Sequence, residues 1–563
     1  MFYLSENILT VETKTQTVTF SNGAVTKIAA RDGRIYAQSN ADEAGCSLVW
    51  ARGETRGLDT GTIETRLLNE KRAEIIYHSW YGDGIVFITE DDETGDVIVR
   101  PAASSGRAGV RGCRFDIRGI EKSLSILIPA FQGVKLAMDD PLLTGENAGA
   151  TFNWPHSWEM GLIILESAKG GGLFIHCRDD RYKHKQLVVG AKGDPYRIGL
   201  VSEANGPVDS NKSAGGIDWR INVFEGGWRT PAAVYKNWYW NAYGLQKEKA
   251  KRAPWLSDIR LAYCWSNGDA ACLDALARHV DPKKVLIHLS DWRDYNYDQN
   301  YPDYMPSASA ARFIEYGSGM GFKIAPHANA MEIDPAHAVY PMFSDFQSVN
   351  IDDKTVYGWG FDGADWRYLG VPWTERAKTA PENRRYNIMV KLHTGLSLWH
   401  SELYGRLKAV AENYPVAACF TDVSNCVFNL HNCIVEGRTP AEGVNDMIKM
   451  LSEINGCLPI GGEGLNEITA QGLSFAQMHL FNSYHKSIPG LERCGGDCAV
   501  NDFVFGELCR TIGYAGLSGK NEDEIMRKRI HDDHNTIPTI IENDPRVLLE
   551  PNETIKGIYE DCK

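Results

Sequence analysis

The spacing of apolar residues changes its period once along this chain, and the change divides the sequence into two kinds of domain. From residue 1 to about residue 228, short runs such as TVTFSNGAV, DGIVFITE and SLSILIPA alternate apolar and polar side chains and are separated by turn residues. Alternation with a period of two, together with many β-branched residues, is typical of antiparallel strands. So many strands in succession predict an N-terminal antiparallel β-sandwich over residues 1–228.

A helix is predicted where this pattern ends. The segment GGWRTPAAVYKNWYWNAY places Pro231 in a first helical turn behind Thr230 as N-cap, and its apolar residues then recur at helical spacing. The charged run QKEKAKR follows, and we expect it to be a solvated connector. Residues 229–255 are therefore assigned to a linker helix and connector.

Beyond residue 256 the pattern alternates between strands and helices. The runs IRLAYCW, VLIHLSDW and FKIAPHANAMEID are nearly continuous in apolar residues, and helical segments separate them. Buried strands of this kind pair in parallel and are covered by helices. We therefore predict a (β/α)8-type barrel over residues 256–563, with a long insertion at about residues 335–385. The predicted fold class is multidomain β plus α/β.

Composition excludes several kinds of partner. The net charge of -14 argues against nucleic acid, because a nucleic-acid-binding face must be basic. No stretch approaches the ~18 apolar residues of a membrane-spanning helix, so we expect no membrane partner. The N-terminal segment mixes charged and β-branched residues, and the 13 cysteines form no framework, which together predict a cytoplasmic protein. The oligomeric state is left open.

Two carboxylates follow consecutive predicted strands of the barrel. Asp422 lies in AACFTDVSN, and Glu463 lies 41 residues later in PIGGEGLNE, after a crossover helix that starts with the capping box Thr439-Pro440-Ala441-Glu442. The ends of parallel barrel strands share one rim, where barrel active sites lie. Neighbouring strands are ~4.8 Å apart, which favours the ~5 to 5.5 Å carboxyl separation of a retaining glycosidase over the longer inverting distance.

Side chains at the other strand ends suit a sugar with several hydroxyl groups. Indole rings can cover a sugar face, and carboxylates, amides and imidazoles can bind its hydroxyls. His327 is equally well interpreted as a core histidine, and Glu467 is a rival of Glu463 for the role of acid/base. The predicted substrate-binding residues are Trp265, Asp291, Trp292, His327, Asn329, Asn425 and Glu467.

The order of these segments and motifs resembles that of a known group of enzymes. The β-sandwich, the GGWRTPAAVYKNWYW helix, FTDVSN at one strand end and GGEG after the next resemble the retaining α-glycosidases of the endo-α-N-acetylgalactosaminidase type. The resemblance implies cleavage of α-linked glycosides of galactose, N-acetylgalactosamine or a related sugar, with Asp422 as nucleophile and Glu463 as acid/base. The chain departs from the group at Ser424-Asn425 and at Gly464, which leaves the sugar and endo or exo action open.

Two other interpretations stay open, and several are disfavoured. The same scaffold could be a catalytically inactive carbohydrate-binding protein or an inverting glycosidase. We expect no cofactor and no metal, because no His-x-His occurs on the first barrel strand and the pairs Cys426/Cys433, Cys494/Cys498 and His531/His534 are loose. A serine hydrolase is disfavoured because the chain lacks a G-x-S-x-G elbow. A dinucleotide site is disfavoured because the glycines at 317, 319 and 321 follow a predicted helix and precede a strand, the reverse of the order that such a site needs.

Overall fold

The computed structural model describes residues 1–40, 43, 45–144, 149–295, 297–360, 388–478, 498–513 and 536–563. Its N-terminal part, residues 1–228, is called the N-terminal β-domain here and contains two large sheets. The first sheet has 11 strands: β1 Phe2–Ser5, β2 Ile8–Glu12, β3 Gln16–Ser21, β4 Ala24–Ala30, β5 Ile35–Gln38, β6 Cys46–Trp50, β7 Thr55–Gly57, β12 Val110–Ile117, β15 Ala150–Asn153, β18 Lys185–Val189 and β19 Ile198–Glu203.

The second sheet of this domain has 10 strands: β8 Thr62–Asn69, β9 Arg72–Ser79, β10 Gly82–Glu90, β11 Val97–Ser104, β13 Leu124–Ile128, β14 Val134–Ala137, β16 Leu162–Ser167, β17 Gly172–Cys177, β20 Ser213–Gly215 and β21 Trp219–Phe224. The short helix α1 spans Pro141–Thr144. Alternate residues of the strands are buried, as Val97 and Val99 are in β11, and the buried side chains of both sheets join one hydrophobic core. The sheets therefore pack through the apolar faces that the alternation predicts.

The predicted linker helix is present, with small differences. Helix α2 spans Arg229–Ala242 and buries Pro231, Tyr235 and Tyr239. The helix begins two residues earlier than predicted, so Thr230 is not its N-cap. The charged connector is itself partly helical, because α3 covers Leu245–Ala250.

The C-terminal part is built on one parallel sheet of eight strands, called the barrel-like sheet here. Its strands are β22 Leu261–Ser266, β23 Val285–Leu289, β24 Lys323–Asn329, β28 Cys419–Asp422, β29 Ile460–Glu463, β30 Phe475–Met478, β31 Arg510–Gly513 and β32 Thr539–Ile540. They pair in the order β31-β30-β29-β28-β24-β23-β22-β32. A parallel bridge between Ile512 and Ile537 joins the two ends of this order, so the sheet is nearly closed. Phe420, Phe475 and Ile512 belong to a separate buried cluster.

Helices cover the barrel-like sheet on its outside. They are α4 Ala270–Leu276, α5 Ala308–Met320, α6 Ser397–Asn413, α7 Pro440–Ser452, α8 Val500–Phe505, α9 Pro545–Leu549 and α10 Glu553–Asp561. Helix α7 starts with the predicted capping box, in which Thr439 and Glu442 each bond the other's backbone N–H. Among the helices that the structure describes, none is long and apolar enough to cross a bilayer.

The chain between β24 and β28 forms a small antiparallel sheet of its own. Its strands are β25 Glu332–Ile333, β26 Gly358–Gly360 and β27 Ile388–Lys391. The predicted irregular insertion thus contains regular structure in its described part, while residues 361–387 lie outside the described residues. The predictions made for residues 479–485, for GYAGLSG after its first residue, for His531 to His534 and for Cys494 also lie outside them. The fold agrees in outline with a multidomain β plus α/β protein.

Candidate active site

The two predicted carboxylates lie side by side at the end of the barrel-like sheet. Strands β28 and β29 are neighbours and pair in parallel, with Phe420 opposite Gly461 and Thr421 opposite Gly462. Asp422 and Glu463 are the next residues of these strands, so both stand at the carboxyl ends of adjacent strands. This is the rim where barrel active sites are built.

Backbone hydrogen bonds tie the two strand ends together. The Val423 N–H donates to Glu463 Oε2 at 3.1 Å, and the Glu463 N–H donates to Ser424 Oγ at 3.0 Å. Val423 has φ 50°, a left-handed conformation that costs a β-branched residue about 1 to 3 kcal/mol. Gly464 has φ +69°, and a Cβ there would lie 2.6 Å from Asn425 Nδ2. The loops after both strands are therefore tightly specified.

Asp422 is held by groups from two other strand ends. Its Oδ2 accepts a hydrogen bond from the Tyr297 hydroxyl at 3.2 Å, and His327 Nε2 lies 3.7 Å from the same oxygen. The Asp422 side chain is 14% exposed, so it remains accessible to a ligand. Burial raises the pKa of Asp422 well above its usual range, and the nearby carboxyl of Glu463 raises it further.

This electrostatic coupling has a direct chemical consequence. Two carboxylates on adjacent strand ends repel each other, so the pair retains one proton to a higher pH than either group would alone. Glycoside hydrolysis needs one ionised and one protonated carboxyl. Asp422 and Glu463 are therefore a coupled pair that can hold one proton between them.

Two further buried carboxyls lie near the pair: Asp298, and Glu332, which follows the third barrel strand in the sequence as a carboxylate suited to a sugar. Asp298 lies in the loop after β23, and Glu332 begins β25 and forms an ion pair with Lys391 of β27. Burial, followed by the charge of Glu332, raises the pKa of Asp298 to about 8. The carboxyl groups of Asp298 and Glu332 both contribute to the raised pKa of Asp422. Neither Asp298 nor Lys391 had a local signal, because the segment YNYDQNYPDY looks like a polar connection and β27 follows the predicted insertion.

A chain of buried imidazoles leads to Asp422. The Trp265 N–H donates to His288 Nδ1 at 3.4 Å, and His288 Nε2 lies 3.0 Å from His327 Nδ1. Burial lowers the pKa of His288 to about 3 and that of His327 well below its usual value, so both rings are neutral. Because Nδ1 of His288 accepts, we assign its proton to Nε2, and the proton of His327 then lies on Nε2, facing Asp422.

The other predicted substrate-binding residues separate into two groups. Trp265 is half-buried, with its ring 5.7 Å from that of Tyr297, and Asp291 is exposed beside β23. Asn425 lies between the two carboxylate loops, where its carbonyl oxygen is 3.1 Å from His156 Nδ1 of the N-terminal β-domain. These three residues are within or beside the site.

Trp292 and Asn329 are placed differently from the prediction. The Trp292 indole is 1% exposed, donates its N–H to the His327 carbonyl at 2.8 Å and stacks on Tyr304, so it offers no face to a sugar. The Asn329 side chain donates to Glu332 Oε2 at 2.9 Å and accepts the Glu332 N–H at 2.9 Å. Both residues support the site from within the core, and we remove them from the set of substrate contacts.

Glu467 lies at the boundary with the N-terminal β-domain. Its Oε2 accepts hydrogen bonds from Trp154 Nε1 at 2.9 Å and from the Gly161 N–H at 3.2 Å. The residue is 1% exposed, and burial raises the pKa of its carboxyl while the charge of Lys185 opposes that rise. Glu467 is therefore engaged in the domain contact, and it is a weak rival of Glu463. Within the described ranges, no three His, Cys, Asp or Glu side chains are grouped as a metal centre would require.

Comparison with known proteins places this geometry in context. Residues 217–348 match a family described as a domain of unknown function, DUF6259. No curated protein sequence matches the chain. The α-N-acetylgalactosaminidase NagBb from Bifidobacterium bifidum, in complex with GalNAc, superposes with a TM-score of 0.66 and 12% identity over 100% of this chain and 92% of that one.

The whole chain shares its overall fold with NagBb. The ligand-free form of NagBb gives a TM-score of 0.64 at 14% identity, over 99% of this chain and 93% of that one. A family 31 sulfoquinovosidase from E. rectale gives a TM-score of 0.51 at 10% identity, over 100% of this chain and 82% of that one. At these identities the likeness concerns the fold alone, and the chemistry has to be argued from the side chains.

Proposed function

We propose that this protein is a retaining glycoside hydrolase that cleaves α-linked glycosides of galactose, N-acetylgalactosamine or a related sugar. The observation that carries the proposal is the position of Asp422 and Glu463 at the ends of the adjacent parallel strands β28 and β29. A strand spacing of ~4.8 Å suits the ~5 to 5.5 Å between the carboxyls of retaining enzymes. The two-part fold of this chain also agrees with the β-sandwich and (β/α)8-type barrel of the α-glycosidases that its sequence resembles.

In the proposed mechanism, Asp422 attacks the anomeric carbon while Glu463 gives its proton to the leaving oxygen. A covalent glycosyl-enzyme forms, and Glu463 then removes a proton from the water that releases the sugar. The Tyr297 hydroxyl orients the attacking carboxylate through its bond to Oδ2. His327 is neutral and its Nε2 faces Asp422, so its N–H dipole stabilises the ionised carboxylate of Asp422.

The sugar class is proposed from the site and from the related fold. The half-buried indole of Trp265 supplies an apolar surface for a sugar face, and Asp291 and Asn425 supply polar groups at the rim. NagBb is an α-N-acetylgalactosaminidase crystallised with GalNAc, which makes 2-acetamido and 2-hydroxy galactosides the first substrates to test.

The test is turnover of a panel of aryl α-glycosides by the unchanged protein, followed by variants of the two carboxylates. We expect Asp422→Ala to abolish turnover and Glu463→Ala to lose roughly 10² to 10⁴-fold on substrates with poor leaving groups. Azide should rescue Asp422→Ala as a β-glycosyl azide and Glu463→Ala as an α-glycosyl azide. Glu412→Gln, an exposed carboxylate on α6, serves as the control and should keep full activity.

Two outcomes would contradict this proposal. If the protein binds sugars but turns over no α-glycoside, it is a binding protein on a glycosidase fold. If NMR shows that the first product has the inverted anomeric configuration, the retaining assignment fails and Glu463 acts with a base other than Asp422.

A further inference from the structure

The loop after β23 holds a buried carboxyl group that the proposed mechanism does not use. Asp298 is 4% exposed, and within the described part of the chain no atom hydrogen-bonds its Oδ1. Tyr301 lies beside this carboxyl, and its side chain opposes the rise in the pKa of Asp298. A buried polar atom without a partner is destabilising, so a ligand atom that satisfies Oδ1 would recover free energy.

Asp298 is close to the proposed nucleophile. Tyr297, the residue before it, donates to Asp422 Oδ2 at 3.2 Å, and the carboxyl of Asp298 is among the groups that raise the pKa of Asp422. On its other side the carboxyl of Glu332 acts on Asp298, and Arg293 and Lys391 partly offset that repulsion. The unsatisfied oxygen thus belongs to the group of side chains that surrounds the reacting centre.

The backbone that carries Asp298 is firmly held. Asp298 has φ 55° and Asn300 has φ 54°, left-handed conformations that Asp and Asn adopt more readily than other residues with a side chain. The Asn300 N–H donates to Asp334 Oδ2 at 2.8 Å, and Arg293 Nη1 donates to the Gln299 carbonyl at 2.8 Å. These hydrogen bonds fix the loop that positions Asp298.

The protonation state defines what Asp298 can offer. Burial and Glu332 raise the pKa of Asp298 to about 8, so the carboxyl is neutral at pH 7. The neutral acid has one O–H to donate, and Oδ1 is the oxygen that has no hydrogen-bond partner among the described residues. A neutral carboxylic acid in a buried site is a hydrogen-bond donor, as in ketosteroid isomerase.

We propose that Asp298 is a specificity-determining residue, whose Oδ1 donates a hydrogen bond to an acceptor oxygen of the sugar bound at Asp422. The acceptor is either a ring hydroxyl or the carbonyl of an acetamido group. This inference rests on the proposed function for the location of the sugar, and it adds the residue that selects it. A site built to hydrogen-bond a substrate group discriminates strongly against a substrate that lacks the group.

The test compares Asp298→Ala, Asp298→Asn and the control Asp294→Ala on two substrates. The substrates are 4-nitrophenyl α-galactoside and 4-nitrophenyl α-N-acetylgalactosaminide, which differ only in a hydroxyl or an acetamido group. Asn keeps a neutral donor of similar shape, whereas Asp294 is an exposed carboxylate of the same loop. Circular dichroism and thermal unfolding establish that each variant is folded.

We expect Asp298→Ala to lower kcat/KM for the preferred sugar roughly 10- to 100-fold, the loss of one or two buried hydrogen bonds. The ratio of kcat/KM between the two sugars should fall in Asp298→Ala if the acceptor is the acetamido carbonyl, which only one sugar carries. The ratio should stay the same if the acceptor is a hydroxyl that both sugars carry. Asp298→Asn should stay within about fivefold of the unchanged protein, and Asp294→Ala should match it. Full activity in Asp298→Ala, or an equal loss in Asp298→Ala and Asp298→Asn, would overturn the inference.

A binding measurement separates this inference from the proposed function. Calorimetric titration with free galactose and with N-acetylgalactosamine reports recognition without turnover. If the unchanged protein hydrolyses nothing but binds one sugar, and Asp298→Ala lowers that affinity tenfold, the proposed function fails and Asp298 keeps its assigned role. If affinity is the same in both proteins, the role of Asp298 is overturned whatever the activity.

Discussion

Asp422 is surrounded by side chains from parts of the chain that are far apart in sequence. Tyr297, from the loop after β23, donates a hydrogen bond to Oδ2, and His327, from β24 and with its tautomer set by His288, lies 3.7 Å from the same oxygen. Both side chains approach Oδ2 rather than Oδ1. The side chain is therefore oriented before any substrate arrives, which lowers the cost of reaching the transition state.

Tyr297→Phe should lower kcat roughly 10- to 100-fold with a smaller effect on KM. The change removes only the hydroxyl that donates to Asp422, and a hydrogen bond to a charged group contributes about 1.5 to 3 kcal/mol. Tyr295→Phe is the control, because Tyr295 is 45% exposed in the same loop. Steady-state kinetics on an aryl α-glycoside make the measurement, and an equal effect of both substitutions would argue against orientation of Asp422 by Tyr297.

The sequence was sufficient to predict that Asp422 and Glu463 lie side by side, because each directly follows an apolar strand, and strand direction alone brings such residues to one rim. It was insufficient for Trp292, Asn329 and Glu467, because the orientation of a side chain beyond a strand depends on its tertiary partners. Trp154, for example, precedes Glu467 by 313 residues, and no local pattern connects them. Asp298 was missed because its loop looks like an ordinary polar connection.

Among the elements, β29 shows how the strand that carries Glu463, the proposed acid/base, is adapted to its neighbours. A Cβ on Gly461 would lie 2.2 Å from the Phe475 ring of β30, and one on Gly462 would lie 2.4 Å from Ser424 Oγ. Phe475 itself is fully buried. The two glycines therefore allow a large ring and the loop after β28 to pack directly against the strand that positions Glu463.

Gly461→Ala should destabilise the protein by about 1 to 3 kcal/mol, because the added methyl group overpacks a full core. Gly405→Ala on α6 is the matched control, since a Cβ there meets no heavy atom within 4 Å. Ala is favoured over Gly inside a helix by about 0.5 to 1 kcal/mol, so the control should stabilise the protein slightly. Urea unfolding followed by fluorescence measures both, and equal midpoints for the two variants would contradict the packing argument.

At the scale of the whole molecule, two buried glutamates join the N-terminal β-domain to the barrel-like sheet. Glu467, in the loop after β29, bonds Trp154 and Gly161 of the β-domain. In return Glu159 of the β-domain accepts the Glu467 N–H on its carbonyl at 2.7 Å and the Asn501 amide on its carboxyl at 2.7 Å. The change of hydrophobic period in the sequence predicts two domains, but it does not predict this contact between them.

Glu159 makes the domain contact dependent on pH. Burial raises its pKa from 4.5 to about 8, although hydrogen bonds from Gln132 and Asn501 oppose the rise. Between these two values the folded protein holds a proton that the unfolded chain has released. The free energy of unfolding therefore falls as pH rises through this window, by ~1.4 kcal/mol per pH unit for one proton, and is unaffected by this group below pH 4.5 and above pH 8.

Glu159→Gln should remove this contribution, because the amide stays neutral at every pH in the window. Compared with the unchanged protein, the variant should gain stability progressively from pH 5 to pH 8, with the difference then constant at higher pH. Asp298 and Glu467 also have raised pKa values, so the unchanged protein and the variant share their contribution and the difference isolates Glu159. Calorimetric unfolding across this pH range makes the comparison, with the exposed Glu412→Gln as control. A difference that does not change with pH would mean that Glu159 is already ionised in the folded protein and that its bonds from Gln132 and Asn501 outweigh its burial.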